Sequence, residues 1–334
     1  MRYTSVISAM PIIETKDLTK TYKRYKKAEG LRGSLKGLIK REYEVKNAVS
    51  SFDLGIEEGE FTGLIGPNGA GKTTLIKMLT GIIAPTSGTI SVMGYYPNKL
   101  ENAFKKQYAV VMGQKSQLFF ELTANDTLSL FKEIYDIPKP EFEKSRDYFV
   151  ELFNVKDLMN VQVRNLSLGE RMKMELITAL LHNPRVLFLD EPTIGLDAIA
   201  VKQIRGFLKN VNEEKGTTVL LTSHYMEDIK QLCKRSIVIN NGKKIFDGTT
   251  ETLFTTYQKY KVLHISFADS TSMRMEDSLL KNCSILESDE YKVSLQVPKE
   301  SSSKILDYLF KSYTVQDIVI EEEDIGTVVE RMYS

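Results

Sequence analysis

Nine consecutive residues, Gly66-Pro67-Asn68-Gly69-Ala70-Gly71-Lys72-Thr73-Thr74, have the types and spacing that hold phosphate. They fit G-x-x-x-x-G-K-[ST] without a gap. Glycines at 66, 69 and 71 let the backbone turn its N–H groups toward a triphosphate, at the positive end of the following helix. Lys72 is spaced to reach the β- and γ-phosphates, and the Thr73 hydroxyl to take a position on Mg²⁺. Thr74 adds a second hydroxyl close by. A glycine-rich turn ahead of an ordinary helix is the bland alternative, and the Lys-Thr pair argues against it. The stretch implies a nucleoside triphosphate site.

A loop of this kind works only where a strand delivers it and a helix receives it. Phe61 to Ile65 is an apolar run of strand length, and Leu75, Ile76 and Leu79 follow at helical spacing. Val186 to Leu189 reads as a buried strand ending in Asp190-Glu191-Pro192, and Thr218 to Thr222 as another ending in Ser223-His224. Ala109 to Met112 ends at Gly113-Gln114. Between about Leu122 and Leu181 the pattern is mostly helical, with Pro138 and Pro140 breaking it. One helix ends over Ile134 to Asp136, the next covers Phe142 to Phe153, and a third opens at Asn165-Leu166-Ser167-Leu168-Gly169-Glu170-Arg171. Ser167 and Glu170 are spaced as a capping box, so that stretch also has a purely structural reading. Thr193 to Asp197 reads as a loop before a helix reaching about Asn212. Ile12 to Tyr22, Val45 to Leu54 and Thr89 to Met93 read as further strands, and Asn241-Gly242 as the turn of a hairpin.

Two stretches differ from the rest. Residues 23–46 hold nine cations against three carboxylates, with Leu31, Leu35, Leu38 and Ile39 on one face of a short amphipathic helix. Such a segment suits an anionic membrane or a partner, and equally a solvated insertion packed on its own domain. After about Thr255 the expected order is β-α-β-β-α-β: strands over 262–267, 284–287, 291–297 and 314–320, helices over 271–281 and 301–310. A last helix covers 324–332. That order suggests a small ferredoxin-like unit.

Taken together, residues 11 to 250 resemble the ATP-binding subunit of an ABC transporter, motif by motif and in the family's order. Gly66 to Thr74 matches the family's phosphate loop, Leu166 to Arg171 its signature sequence, and Leu187 to Glu191 its second nucleotide motif. Gln114 matches the glutamine that touches Mg²⁺ and senses the membrane partner. Gly195-Leu196-Asp197 matches the loop bridging two subunits, and His224 the switch histidine. The resemblance implies an α/β P-loop NTPase fold: a mixed-sheet core, an antiparallel β-subdomain and a helical subdomain over about 115–181. The ATP-binding domain would span 1–250, and a small α+β domain 256–334.

It also implies a head-to-tail dimer, with a second copy of itself or a related ATPase subunit, around two ATP, each lying between one chain's phosphate loop and the other's Ser167, Gly169 and Glu170. Asp190 would hold Mg²⁺ through water, Glu191 would polarise the attacking water, and His224 would contact the γ-phosphate. Tyr22 matches the aromatic that stacks on adenine, although Tyr25 and Tyr43 are alternatives. Leu168 departs from the signature, which usually carries two glycines after its serine. That variant and the basic insertion resemble the subgroup serving ABC-2-type exporters.

Composition sets the outer bounds. With 334 residues, 42% hydrophobic and 27% charged, the chain suits two soluble domains. A net charge of +1 gives no pointer to nucleic acid. Cys233 and Cys283 lack C-x-x-C spacing and read as reduced, cytosolic residues. No run approaches the ~20 apolar residues of a spanning helix, and Met1 to Pro11 lacks a signal-peptide core. The expected location is therefore the cytoplasm, on the inner face of the cell membrane through transmembrane partner subunits. Non-transport ATPases of the same fold compete with this reading. A translation factor would carry two cassettes, and a repair ATPase long heptad arms; neither is present. Retention of Glu191 and His224 argues against a module that binds ATP without hydrolysing it. His182 and His264 read as structural or surface residues, and the pairs Tyr95-Tyr96 and Phe119-Phe120 as core or edge, with partner contacts as the alternative.

Overall fold

The computed structural model describes residues 11–25, 43–113, 115–223, 225–269, 280, 282–323, 327–328 and 331–332. The expected amphipathic helix over Leu31 to Ile39 lies outside the described residues, as do Gln114, His224 and, apart from Leu280, the helix expected over 271–281. The chain divides into two compact units, 1–248 and 249–334.

In the first unit, β1 (Ile13–Tyr25) and β2 (Tyr43–Ile56) pair antiparallel, and β1 extends three residues past the expected Tyr22. β3 (Phe61–Ile65) leads into the phosphate loop and α1 (Lys72–Leu79). β4 (Ser87–Val92) returns to pair with β1 and completes a three-stranded antiparallel sheet. α2 (Asn102–Lys105) and β5 (Tyr108–Met112) follow.

Three helices come next: α3 (Ala124–Ile134), α4 (Lys139–Leu152) and α5 (Leu168–Leu180). α4 begins three residues before the expected Phe142, because Pro140 sits in its first turn. There a missing N–H costs nothing and the fixed φ suits the helix, so only Pro138 stands outside it. α3 and α5 both open on capping boxes, Thr123 with Asp126 and Ser167 with Glu170. Each cap contributes about 1 kcal/mol.

β6 (Val186–Asp190), α6 (Ala198–Lys215), β7 (Thr218–Thr222), α7 (Met226–Leu232), β8 (Arg235–Asn240) and β9 (Lys243–Thr249) complete the unit. α6 runs past Asn212 and stops at Gly216, whose φ of 66° is the left-handed stop that glycine supplies most easily.

The second sheet has the order β5-β6-β7-β3-β8-β9, parallel from β5 to β8. β3 and β7 are buried at every position, as expected of parallel strands covered on both faces. Register aligns Met112 with Asp190, Asp190 with Thr222, and Thr222 with Leu64. The carboxyl ends of four strands thus finish in one row, where ligands of open α/β sheets bind. Tyr95 packs against the core as expected, but Tyr96 beside it is 42% exposed, and Phe119 and Phe120, 46% and 44% exposed, likewise correct the core-or-edge reading. The two phenylalanines lie in the irregular segment before α3, where no strand or helix turns them inward.

The second unit contains α8 (Thr250–Tyr257), β10 (Tyr260–Phe267), β11 (Ser284–Ser288), β12 (Lys292–Pro298), α9 (Ser302–Ser312) and β13 (Val315–Glu322). Its sheet is antiparallel in the order β11-β12-β10-β13. Counted within the unit this is 2-3-1-4, the arrangement of a split β-α-β fold. Leu263, Ile265, Val293, Leu295, Ile305 and Leu309 form its core. Among the described residues, no helix of either unit is long and apolar enough to cross a membrane.

Candidate active site

The phosphate loop is shaped by close backbone approaches. A Cβ at Gly66 would stand 2.1 Å from the Ile239 carbonyl oxygen, and one at Gly71, where φ is 117°, 2.3 Å from that of Ala48. Only glycine fits both positions. The Ala70 carbonyl accepts from Gly242 N at 2.8 Å, so the Asn241-Gly242 hairpin turn braces the loop from outside. Lys72 Nζ donates to the carbonyls of Gly66 (2.7 Å) and Pro67 (3.2 Å) and stands 3.9 Å from Glu191 Oε1. Burial lowers the Lys72 pKa, while the Glu191 and Asp190 carboxylates oppose that shift. Asn68, Gly69, Ala70, Gly71, Lys72, Thr73 and Thr74 line one cleft with Tyr22, Lys46, Ala48 and Glu191.

Asp190 lies at the end of β6 between two hydroxyls. Thr73 Oγ1 donates to its Oδ2 at 2.8 Å, and Thr222 Oγ1 to its Oδ1 at 2.7 Å. Glu191 follows at φ 57°, and its N–H donates to Thr222 Oγ1 and Thr222 O, both at 3.1 Å. A non-glycine residue held there stores on the order of 1–3 kcal/mol, a strain often found at functional sites. Gly113 makes room for the turn: its N–H donates to Asp190 O at 2.9 Å, and a Cβ there would meet Glu191 O at 2.2 Å.

A cation at this place would meet hard oxygen donors, which suit Mg²⁺. Among the described residues no group of three or more His, Cys, Asp or Glu side chains is placed to hold a metal alone. The donor set therefore fits a Mg²⁺ shared with phosphate and water, which Thr73 would ligate and Asp190 would hold from behind.

A fully buried carboxylate, Asp228, fastens the surrounding loops. Asp228 accepts from Thr193 Oγ1 (2.6 Å), Ser223 Oγ (2.7 Å) and Arg205 Nε (2.6 Å). Thr193 lies two residues after Glu191, Ser223 directly before His224, and Arg205 on α6. Sequence reading missed Thr222, Gly113 and this network. The polar Thr222 at the end of an apolar strand was the available signal, but its partner is known only once β6 and β7 pair.

Ser167, Gly169, Glu170 and Asp197 are absent from the cleft lining of their own chain. The capping box of α5 joins Ser167 N to Glu170 Oε2 (2.8 Å) and Glu170 N to Ser167 Oγ (3.3 Å). A Cβ at Gly169 would stand 2.9 Å from Ala200 Cβ, so glycine permits α5 and α6 to approach. Asp197 caps α6, accepting from Ile199 N and Ala200 N at 2.9 Å each. Tyr22 is 42% exposed with Lys20 Nζ 5.4 Å from its ring centroid, leaving a ring face for a flat ligand. His182 is structural: it stacks on Tyr135 at 3.9 Å, and its Nε2 lies 3.1 Å from Tyr108 O.

Comparison with known proteins agrees with this geometry. The family profile described as ABC transporter matches residues 49–194. The ABC transporter ATP-binding protein NatA of Bacillus subtilis is 34% identical over 211 residues, 63% of this chain and 85% of that protein. The linearmycin resistance ATP-binding protein LnrL of the same organism is 35% identical over 215 residues, 64% of this chain and 68% of that protein. Among solved structures, an ATP-binding subunit of an ABC transporter superposes with a TM-score of 0.60 at 26% identity, covering 73% of this chain and 92% of its own. A dimeric ATP-binding cassette in a post-hydrolysis state, bound to ADP and Pi, gives 0.59 at 25% identity, covering 71% and 98%. Phosphate loop, hydroxyl-bracketed aspartate and strained glutamate thus stand in a cassette shared with these relatives, and the chain belongs to the ABC transporter family as an ATP-binding subunit, an ATPase.

Proposed function

We propose that two such chains pair head to tail over two ATP molecules and drive export through separate transmembrane subunits. A relative described as a Nod factor export ATP-binding protein supports the export direction. The same partners would hold the chain at the inner face of the membrane. Lys72 and the loop amides take the β- and γ-phosphates, Tyr22 stacks on adenine, and Thr73 and Asp190 hold Mg²⁺. The cation would neutralise charge developing on the phosphates. Glu191 accepts the proton of the attacking water, while Gln114 and His224 contact the metal and γ-phosphate sides. Ser167 and Gly169 serve the ATP of the other chain, with Glu170 fixing Ser167 and Asp197 standing between the subunits.

The observation that carries this reading is the meeting of Thr73 and Asp190 at 2.8 Å, with Glu191 held one residue on at φ 57°. Glu191→Gln tests it by steady-state phosphate release and gel filtration. Hydrolysis should slow by about 10²–10⁴-fold, the range for losing a proton-handling group, while an ATP-bound dimer accumulates. Turnover at the wild-type rate would contradict the assignment.

A further inference from the structure

Ser116, Gln117 and Leu118 lie just past Gln114, and one side chain of α5 fastens them. Glu175 is 5% exposed on a helix face otherwise lined by Met172, Leu176 and Ala179. Its Oε1 accepts from the Ser116 hydroxyl at 2.5 Å and from Gln117 N at 2.9 Å. Gln117 Nε2 donates to the Glu175 backbone carbonyl at 3.3 Å, and Leu118 N donates to Ser116 Oγ at 3.1 Å. The short segment therefore closes around the carboxylate. Burial raises the pKa of Glu175, and the hydrogen bonds from Ser116, Gln117 and Leu118 oppose that shift.

An apolar residue would satisfy packing at this position, and a buried carboxylate is unfavourable unless hydrogen bonds replace its hydration. The role of the side chain is thus to accept from the 116–117 segment. Ser167, at the start of the same helix, lies about 12 Å along the axis at 1.5 Å per residue.

We propose that Glu175 is a positioning residue that clamps residues 115–118 to α5, so that the Gln114 segment and the Ser167–Gly169 helix end move as one body. The acceptor oxygen does this, not the charge. The inference rests on the reading of Gln114 as a contact on the nucleotide side.

The test compares Glu175→Ala, Glu175→Gln and Ser116→Ala in the full chain, by steady-state ATP hydrolysis and amide hydrogen exchange. Glu175→Ala should lower kcat about tenfold and leave KM for ATP within about twofold, since the phosphate loop is untouched. Exchange at 115–118 should quicken by about 2–10-fold, as expected for losing a hydrogen bond, with α5 and the strands unchanged. Glu175→Gln, which keeps an acceptor oxygen, should remain within about threefold of wild type. Ser116→Ala should lower kcat in the same direction and add nothing to Glu175→Ala. It also decides the matter if the Ala variant does not fold.

Wild-type kcat in Glu175→Ala, equal impairment of the Gln and Ala variants, or faster exchange spread over the whole unit would each overturn the clamp. Gln114→Ala, run alongside, separates the two readings. If it is impaired and Glu175→Ala is not, the clamp alone fails; if it turns over normally, the reading of Gln114 fails and the clamp loses its purpose.

Discussion

Thr222→Val isolates the contact that organises the carboxylates. Valine replaces the hydroxyl by a methyl of similar size, so the strand keeps its packing while two hydrogen bonds go. Asp190 Oδ1 loses its 2.7 Å donor, and the Glu191 N–H loses one of two acceptors at 3.1 Å. Thr222 is wholly buried, which leaves no room for water to replace the hydroxyl. A hydrogen bond to a charged group contributes about 1.5–3 kcal/mol, equivalent to roughly 10–150-fold. Thr222 itself lines no part of the cleft, so the loss should act through the positions of Asp190 and Glu191. Measured as phosphate release at saturating ATP over a Mg²⁺ titration, kcat should fall by about tenfold or more and the Mg²⁺ requirement should rise. Thr222→Ser, which keeps the hydroxyl, should recover most of the rate. A Val variant within twofold of wild type at every Mg²⁺ concentration would refute the reasoning.

Burial lowers the His182 pKa to about 4, the Tyr108 carbonyl opposing. The unfolded chain therefore takes up its proton near the ordinary value of about 6.5, while the folded ring resists until about pH 4. Stability should be lost as pH falls through that window, by up to about 3 kcal/mol at 1.36 kcal/mol per pH unit. His182→Phe should flatten that part of a denaturant-derived stability profile; an unchanged slope would contradict the assignment. Asp228→Ala should leave Arg205, 16% exposed in its side chain, without its partner. The cost is about 3 kcal/mol, seen in thermal unfolding as a fall of roughly 6–12 °C.

Local chemistry was the legible part of this protein. The loop from Gly66 to Thr74, the Ser167–Glu170 capping box and the Asn241-Gly242 turn each depend on a few neighbouring residues. Their presence follows from spacing, although what makes glycine obligatory at Gly66 and Gly71 is the approach of the distant Ile239 and Ala48 carbonyls. Pro140 was misread because a proline in the first helical turn and one that ends a helix look alike without a fixed N-cap. The bracket around Asp190 depends on β6 and β7 pairing in register across 32 residues, and on Thr73 arriving from 117 residues away. Asp228 shows the same limit: its acidic type and helical place are plain, but Thr193, Ser223 and Arg205 converge on it only in the folded chain. The exposure of Phe119 and Phe120 is invisible to composition, since aromatic pairs look alike whether they face core or solvent.

The central claim is that ATP lies between two chains, with Ser167 of one acting on the nucleotide held by Lys72 of the other. Ser167→Arg chains and Lys72→Ala chains, each inactive alone, should be mixed in varying ratio and assayed for ATP hydrolysis. Every heterodimer would then hold one site with both defects and one with neither, so activity should reappear and peak near an equal mixture. Hydrolysis that stays at the level of the separate variants at every ratio would contradict the shared site.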